Sequence, residues 1–121
     1  MSYADEIINP DRPAEHFQKE LLEYLDQYKA FLLNEKKRGA EKRCDTLYRF
    51  ISYLCAYHPV NGFEDIRFAW CSSGFTGYCK GELDEEIKTS LSRNYIRDFF
   101  VFIYEQHGIA NKKLLGKLIA A

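Results

Sequence analysis

The chain has 121 residues, of which 46% are hydrophobic and 16% are aromatic, so it carries enough apolar material for a folded core and is not expected to be disordered. Its formal net charge of -1 excludes the overall basic excess that is typical of a dedicated nucleic-acid-binding protein. Since this length suits one domain, residues 1–121 are predicted to form a single helical domain with an irregular lead-in at residues 1–12.

The first predicted helix covers residues 14–38. Pro10 and Pro13 bracket its start, and proline is favoured at the first position of a helix. Apolar residues then recur at spacings of three and four, as in an amphipathic helix: Phe17, Leu21, Tyr24, Leu25, Tyr28, Phe31 and Leu32. Gly39 is predicted to end this helix in the left-handed conformation.

A second helix is predicted over residues 41–58, and Pro59 ends it. One face of this helix carries Cys44, Leu47, Ile51, Leu54 and His58. Aromatic residues outside that face widen the apolar surface, so the helix is expected to be buried on more than one side. These aromatic residues are Tyr48, Phe50, Tyr53 and Tyr57.

The segment after the second helix has a weaker pattern. A short helix is predicted near residues 64–71, where apolar residues have helical spacing. The next residues, 72–77, are mostly serine, glycine and threonine, which are poor helix formers. An irregular or helical segment that carries Phe75 and Tyr78 is predicted there, with a small β-hairpin as the alternative.

Two helix starts are predicted in the last third of the chain. Asp84 is expected to cap a short helix that runs through Thr89. Ser92 is then predicted as the N-cap of a long helix that extends to Gln106 and is closed by Gly108.

The apolar run at residues 99–104 has a composition that also fits a buried strand. It lies between a serine cap and a glycine stop at helical distance, and this spacing favours a helix. Asn111 is predicted to cap a last helix at residues 111–121, whose apolar residues are Leu114, Leu115, Leu118 and Ile119. The whole pattern predicts an all-α bundle of four or five helices.

No catalytic centre is predicted, because none of the three histidines has a partner motif for a general base or an activated nucleophile. His16 lies in an acidic helix start, whereas His58 and His107 lie at helix ends, where histidine commonly interacts with the last carbonyl groups. No glycine-rich phosphate loop is present, so no enzyme, cofactor or small-molecule substrate is expected.

The four cysteines do not have the spacing of a metal site. Cys44, Cys55, Cys71 and Cys79 form no pair that is two to four residues apart, as structural zinc sites usually require. Free buried thiols are expected instead, with a disulfide as the less favoured alternative. The N-terminus is acidic and no stretch reaches roughly 20 apolar residues, so a cytoplasmic protein without a signal peptide or membrane contact is expected.

Basic residues are concentrated in two parts of the chain. Residues 34–49 contain Lys36, Lys37, Arg38, Lys42, Arg43 and Arg49, with three acidic residues. Residues 87–121 contain Lys88, Arg93, Arg97, Lys112, Lys113 and Lys117, with Asp98 and Glu105. Because charges are screened over about 10 Å, a nearly neutral chain can still have a basic face. The alternative is that each cluster is an ordinary solvated surface.

Three stretches carry a resemblance to a known domain: residues 46–54, residues 63–66, and residues 91–100 with the later Gly108 and Asn111. In this order, over residues 28–118, they resemble the N-terminal core-binding domain of tyrosine recombinases (phage integrases), which has a SAM-like helical fold. The resemblance implies a clamp on one side of duplex DNA, formed by the second and fourth helices and contacting mostly phosphates. The residues that would make these contacts are Lys42, Arg43, Arg49, Arg93, Asn94 and Arg97.

The catalytic residues of that family are missing here. The family has a His-x-x-Arg motif, but the residues three positions after the histidines are Lys19, Asn61 and Ala110. We therefore expect a non-catalytic DNA-binding module, such as a stand-alone product of a mobile genetic element. In that case Lys42, Arg43, Arg93 and Arg97 should share one surface without acidic neighbours. The alternative is a helical protein–protein interaction module, regulatory or antitoxin-like, that binds no nucleic acid.

Overall fold

The structure is a computed structural model that describes Tyr3 and residues 13–121, with only the backbone of residues 13 and 14. Residues 13–121 form five α-helices and two short 3-10 turns. The helices are α1 (Pro13–Asn34), α2 (Ala40–Tyr57), α3 (Ser73–Glu82), α4 (Thr89–His107) and α5 (Lys112–Ala120). The 3-10 turns are Phe63–Asp65 and Phe68–Cys71. The described residues contain no strand, so the all-α prediction is confirmed. The predicted lead-in and Pro10 lie outside the described residues, apart from Tyr3.

The chain divides into two compact units, Met1–Gly62 and Phe63–Ala121. The first unit contains α1 and α2, which pack against each other. The second contains both 3-10 turns and the other three helices. The prediction that residues 1–121 form one domain stays a prediction. None of the described helices is both long enough and apolar enough to span a bilayer.

Buried leucines and aromatic side chains hold α1 on α2. Fully buried residues recur on α1 at Leu21, Leu22 and Leu25 and on α2 at Leu47, Phe50, Ile51 and Leu54. Spacings of three and four are typical of buried helix faces, and both predicted helices are present, with α2 within one residue of its predicted bounds.

The end of α1 differs from the prediction. The helix stops at Asn34, and Lys36 takes the left-handed conformation with φ 54°. The amide of Lys37 donates to the carbonyl of Leu32 at 2.9 Å, and the amide of Lys36 donates to Leu33 at 3.1 Å. This is a Schellman closure with lysine at the position that usually holds glycine. Gly39, with φ 70°, is the N-cap of α2 and not the end of α1.

Tyr3 lies on the α1–α2 pair. Its backbone amide donates to Asp26 Oδ1 at 2.7 Å, and its ring stacks on Tyr48 with the centroids 5.3 Å apart. Its hydroxyl is 3.5 Å from Asp45 Oδ1. Burial, followed by the nearby negative groups, raises the pKa of Tyr3 to about 12, so this tyrosine is neutral at physiological pH.

The second unit begins with the two 3-10 turns in place of the short α-helix that was predicted near residues 64–71. The extended backbone of Arg67, with φ -103° and ψ 147°, separates the turns and prevents a continuous helix. The glycine-rich stretch that follows is helical as α3, so the β-hairpin alternative was wrong. Phe75 and Cys79 are fully buried at helical spacing, and burying a phenylalanine contributes about 2–3 kcal/mol. That contribution offsets the cost of about 1 kcal/mol for each helical glycine.

The short helix predicted from Asp84 through Thr89 is not formed. Asp84 has φ 51°, in the left-handed region, whereas an N-cap residue usually has an extended backbone. The amide of Glu85 donates back to Cys79 at 3.0 Å, which closes the end of α3. The long helix α4 starts at Thr89, and Ser92 is buried in its first turn, where its hydroxyl donates to the Thr89 carbonyl at 3.1 Å. The prediction of Ser92 as the N-cap was therefore wrong.

The later part of α4 and the helix α5 follow the prediction closely. The run at residues 99–104 is helical, and Phe99, Phe100 and Ile103 are buried in α4. Gly108 ends α4 with φ 68°, and its amide donates to Tyr104 at 2.8 Å. The Asn111 side chain caps α5, as predicted, by accepting a hydrogen bond from Leu114 N at 3.1 Å.

Candidate nucleic-acid interface

The strongest concentration of exposed cations lies at the connection between α1 and α2. Lys36, Lys37 and Arg38 occupy the connecting turn, and Lys42 follows in the first turn of α2. All four side chains are exposed, and none of them forms an ion pair in the part of the chain that the structure describes. Glu35 and Glu41 are the exposed acidic residues beside them. The turn therefore presents a local positive excess to solvent.

The predicted site residues of α2 differ in exposure. Lys42 is exposed, whereas Arg43 and Arg49 are half-buried. Thr46 donates its hydroxyl to the Lys42 carbonyl at 3.0 Å, which leaves the Lys42 ammonium unaffected. Gly39, as the N-cap of α2, provides no side-chain cap, so the first amides of this helix add hydrogen-bond donors beside Lys42.

The predicted site residues of α4 are partly engaged within the helix. Arg97 Nε forms an ion pair with Asp98 Oδ1 at 3.0 Å, and Arg97 Nη1 donates to Asn94 Oδ1 at 3.3 Å. Arg93 is half-buried and lies one turn before Arg97, on the same side of α4. The expectation that the cations have no acidic neighbour is not met at Arg97, since Asp98 neutralises part of its charge.

The two groups of predicted residues belong to different compact units. Lys42, Arg43 and Arg49 are in Met1–Gly62, whereas Arg93, Asn94 and Arg97 are in Phe63–Ala121. Within the second unit, Asn94 and Arg97 are brought together by their hydrogen bond. A surface shared by all six residues stays a prediction.

Three cations of the second unit were not predicted as site residues. Arg67 from the segment between the 3-10 turns, and Lys113 and Lys117 from α5, line one groove of about 510 Å³. The spacing of four residues between Lys113 and Lys117 signals that they share one side of a helix. No local signal could pair them with Arg67, which lies about 46 residues earlier in the chain.

The three histidines differ in burial. The His58 ring lies edge-on to Tyr53, with its Nε2 3.0 Å from the Tyr53 hydroxyl, and burial holds the pKa of His58 below its usual value. His16 and His107 are exposed on α1 and at the last residue of α4.

The thiols are mostly inside the protein. Cys44, Cys71 and Cys79 are buried and Cys55 is half-buried, all as free cysteines, which confirms the prediction of buried thiols at three of the four positions. Burial raises the pKa of Cys44 to about 11 and that of Cys55 to about 12, so both are protonated near neutral pH. Among the described residues, no group of three or more His, Cys, Asp or Glu side chains is placed to hold a metal ion.

Comparison of the chain with protein-family models, with curated proteins and with solved structures found no match.

Proposed function

We propose that this chain is a non-catalytic module that binds duplex DNA through the phosphate backbone, in the manner that its resemblance to a recombinase core-binding domain implies. The observation that supports this most is the exposed cation cluster of the α1–α2 connection, Lys36, Lys37, Arg38 and Lys42. Cations without internal ion pairs bind phosphates at the lowest cost, because no existing interaction has to be broken. Backbone contacts of this type carry affinity and little sequence preference.

The nearly neutral chain limits the strength of this binding. With a net charge of -1, a few local cations must overcome repulsion from the remaining acidic residues. Dissociation constants of about 1–100 μM are expected at physiological salt, as for non-specific binding in general. The affinity is expected to fall steeply with salt, with a log–log slope of about -0.9 for each phosphate contact.

The test is a fluorescence anisotropy titration of generic duplex DNA at several salt concentrations, with a triple variant of the connection. The triple variant carries Lys37→Gln, Arg38→Gln and Lys42→Gln. It should weaken binding and reduce the steepness of the log–log slope by about 2.7 if all three side chains contact phosphate. The control removes the same charge from exposed lysines elsewhere, with Lys19→Gln, Lys80→Gln and Lys88→Gln. This control should alter the slope much less. Wild-type protein that shows no salt-dependent binding at low ionic strength would refute the function.

The α4 residues allow a second measurement. Changing Arg93 and Arg97 together to Ala would reduce the steepness of the slope by about two if both contacted phosphate. Because Arg97 is already paired with Asp98, we expect a smaller change. A full change of two would show that DNA displaces Asp98 and that both arginines contact phosphate.

A helical protein-interaction module without nucleic-acid binding is the second candidate. Large apolar side chains near the end of the chain favour it: Tyr104 is 43% exposed, Ile109 is 37% exposed and Ile119 is 60% exposed. Exposed apolar side chains are common at protein interfaces. In pull-downs from host lysate, Ile119→Ser should lose a captured partner that the surface control Lys112→Ser retains. Equal capture by both variants contradicts this function.

A further inference from the structure

One groove of the second unit carries three basic side chains, Arg67, Lys113 and Lys117. It has a volume of about 510 Å³ and lies between the 3-10 segment and α5. Its charged residues are Arg67, Lys113, Lys117 and Glu64, all of them exposed. The three cations outnumber the one acid, so the groove has a local charge of +2 and attracts anions.

These three cations have no ion pair within the described residues. The Arg67 guanidinium lies over the Trp70 ring, 5.6 Å from its centroid. This contact restricts the arginine side chain and leaves its N–H groups available for an oxyanion. Lys113 and Lys117 are one helical turn apart on the opposite wall.

Both walls of the groove are joined by Asn111. Its side-chain amide donates to the carbonyls of Phe63 at 3.0 Å and Ile66 at 3.4 Å, and its oxygen accepts from Leu114 N at 3.1 Å. These bonds link the first turn of α5 to the segment that carries Arg67. The backbone segments that carry the cations are therefore held together before a ligand arrives, which lowers the entropic cost of binding.

Two of the four apolar lining residues are buried, since Ile66 is 3% exposed and Leu114 is 4% exposed, whereas Phe68 is half-buried and Ala69 is exposed. A peptide partner usually inserts a large apolar anchor into a pocket, and Phe68 is the only large apolar side chain of this lining that is not buried. A ligand with closely spaced anionic groups fits better, and phosphodiesters provide a negative charge at every nucleotide.

We propose that this groove binds backbone phosphates of duplex DNA through Arg67, Lys113 and Lys117. The proposal rests on the function proposed above and adds a phosphate site in the second unit that is separate from Arg93 and Arg97. Glu64 opposes the binding, because its carboxylate lines the same groove. Removing that charge should therefore strengthen binding.

The test uses the full chain and generic duplex DNA in anisotropy titrations from low to moderate salt. Lys113→Gln with Lys117→Gln should weaken binding and reduce the steepness of the log–log slope by about 1.8, or about 0.9 for each lost contact. The control, Lys112→Gln with Lys80→Gln, removes the same charge from exposed lysines outside the groove. This control should change the slope by less than half as much.

Glu64→Gln provides a variant that gains affinity. A carboxylate about 10 Å from a phosphate in water repels it enough to lower affinity about twofold at low salt, so Glu64→Gln should bind about twofold more tightly. Circular dichroism and thermal unfolding should match the wild type for all variants, since the changed side chains are exposed. An affinity of Glu64→Gln equal to that of the wild type contradicts the proposed position of the phosphate.

The outcomes separate the two proposals. If wild-type protein binds DNA but the groove and control variants lose affinity equally, the groove proposal is overturned and the DNA function stands. If wild-type protein does not bind DNA, both are overturned. Poly-glutamate serves as an acidic polypeptide probe: if the groove variant loses poly-glutamate binding but keeps DNA binding, the groove binds acidic protein segments and the phosphate proposal is wrong.

Discussion

Asn111 is the polar side chain that ties the start of α5 to the 3-10 segment of the second unit. It has two separate roles that one substitution series can resolve. Its oxygen caps α5 through Leu114 N, and its amide nitrogen donates to the carbonyls of Phe63 and Ile66. Asn111→Ala removes both roles, whereas Asn111→Asp keeps the cap oxygen and removes the donor.

The magnitudes follow from the individual bonds. Loss of an asparagine N-cap costs about 1 kcal/mol. The two hydrogen bonds donated by Asn111 contribute about 1 kcal/mol together to the free energy of unfolding. The bond to the Ile66 carbonyl is long at 3.4 Å, and without Asn111 the Phe63 carbonyl still accepts from the Ile66 amide at 3.1 Å. We therefore expect Asn111→Ala to lower the free energy of unfolding by about 2 kcal/mol and Asn111→Asp by about 1 kcal/mol.

Two measurements check these values. Urea denaturation gives the free energy of unfolding, and hydrogen exchange gives the protection of the Leu114 amide. Leu114 should lose protection in Asn111→Ala and retain it in Asn111→Asp, because aspartate still accepts its hydrogen bond. The thermal midpoint of Asn111→Ala should fall by several degrees, since 1 kcal/mol shifts a domain of this size by about 3–6 °C.

The reasoning is refuted if Asn111→Asp is as stable as the wild type while the free energy of unfolding of Asn111→Ala falls only by the N-cap contribution of about 1 kcal/mol. That result would mean that the bonds to Phe63 and Ile66 contribute nothing to stability. A matched control is Asn94→Ala, which removes an exposed asparagine of α4 whose oxygen accepts from Arg97 at 3.3 Å. This control should cost less than about 0.5 kcal/mol, as surface substitutions usually do.

Three further substitutions test local features of the fold. Lys36→Gly should raise the free energy of unfolding by about 0.5 kcal/mol in urea denaturation, because glycine removes the left-handed strain at φ 54° at some cost in chain entropy. An equal gain from Lys36→Ala would contradict this cause. Gly77→Ala should stabilise α3 by about 1 kcal/mol by the same measurement, since nothing lies within 4 Å of the added Cβ, and a loss of stability would show a hidden contact. Burial lowers the pKa of His58, so the unfolded chain takes up a proton more readily than the folded chain, and stability should fall as the pH drops below 6.5. His58→Gln should flatten this part of the stability–pH curve, and an unchanged curve would exclude His58 as the cause.

The sequence by itself was sufficient to predict the features that depend on residues close together in the chain. The repeat of apolar residues at three and four positions identified α1 and α2, because one side of a buried helix must be apolar whatever it packs against. The helix α4 was predicted from the helical distance between Ser92 and the stop at Gly108. Gly108 and Asn111 were identified as helix ends, because their roles come from their own backbone freedom and side-chain length.

Tertiary structure decided the features that depend on distant residues or on competing local preferences. Gly39 was predicted to end α1, yet Lys36 takes that role and Gly39 is the N-cap of α2, which packs on α1. Residues 73–82 are helical despite three glycines, because burial of Phe75 and Cys79 outweighs their low propensity. Arg67 lines the same groove as Lys113 and Lys117 because the fold packs α5 against the 3-10 segment. The spacing of these residues along the chain does not predict that arrangement.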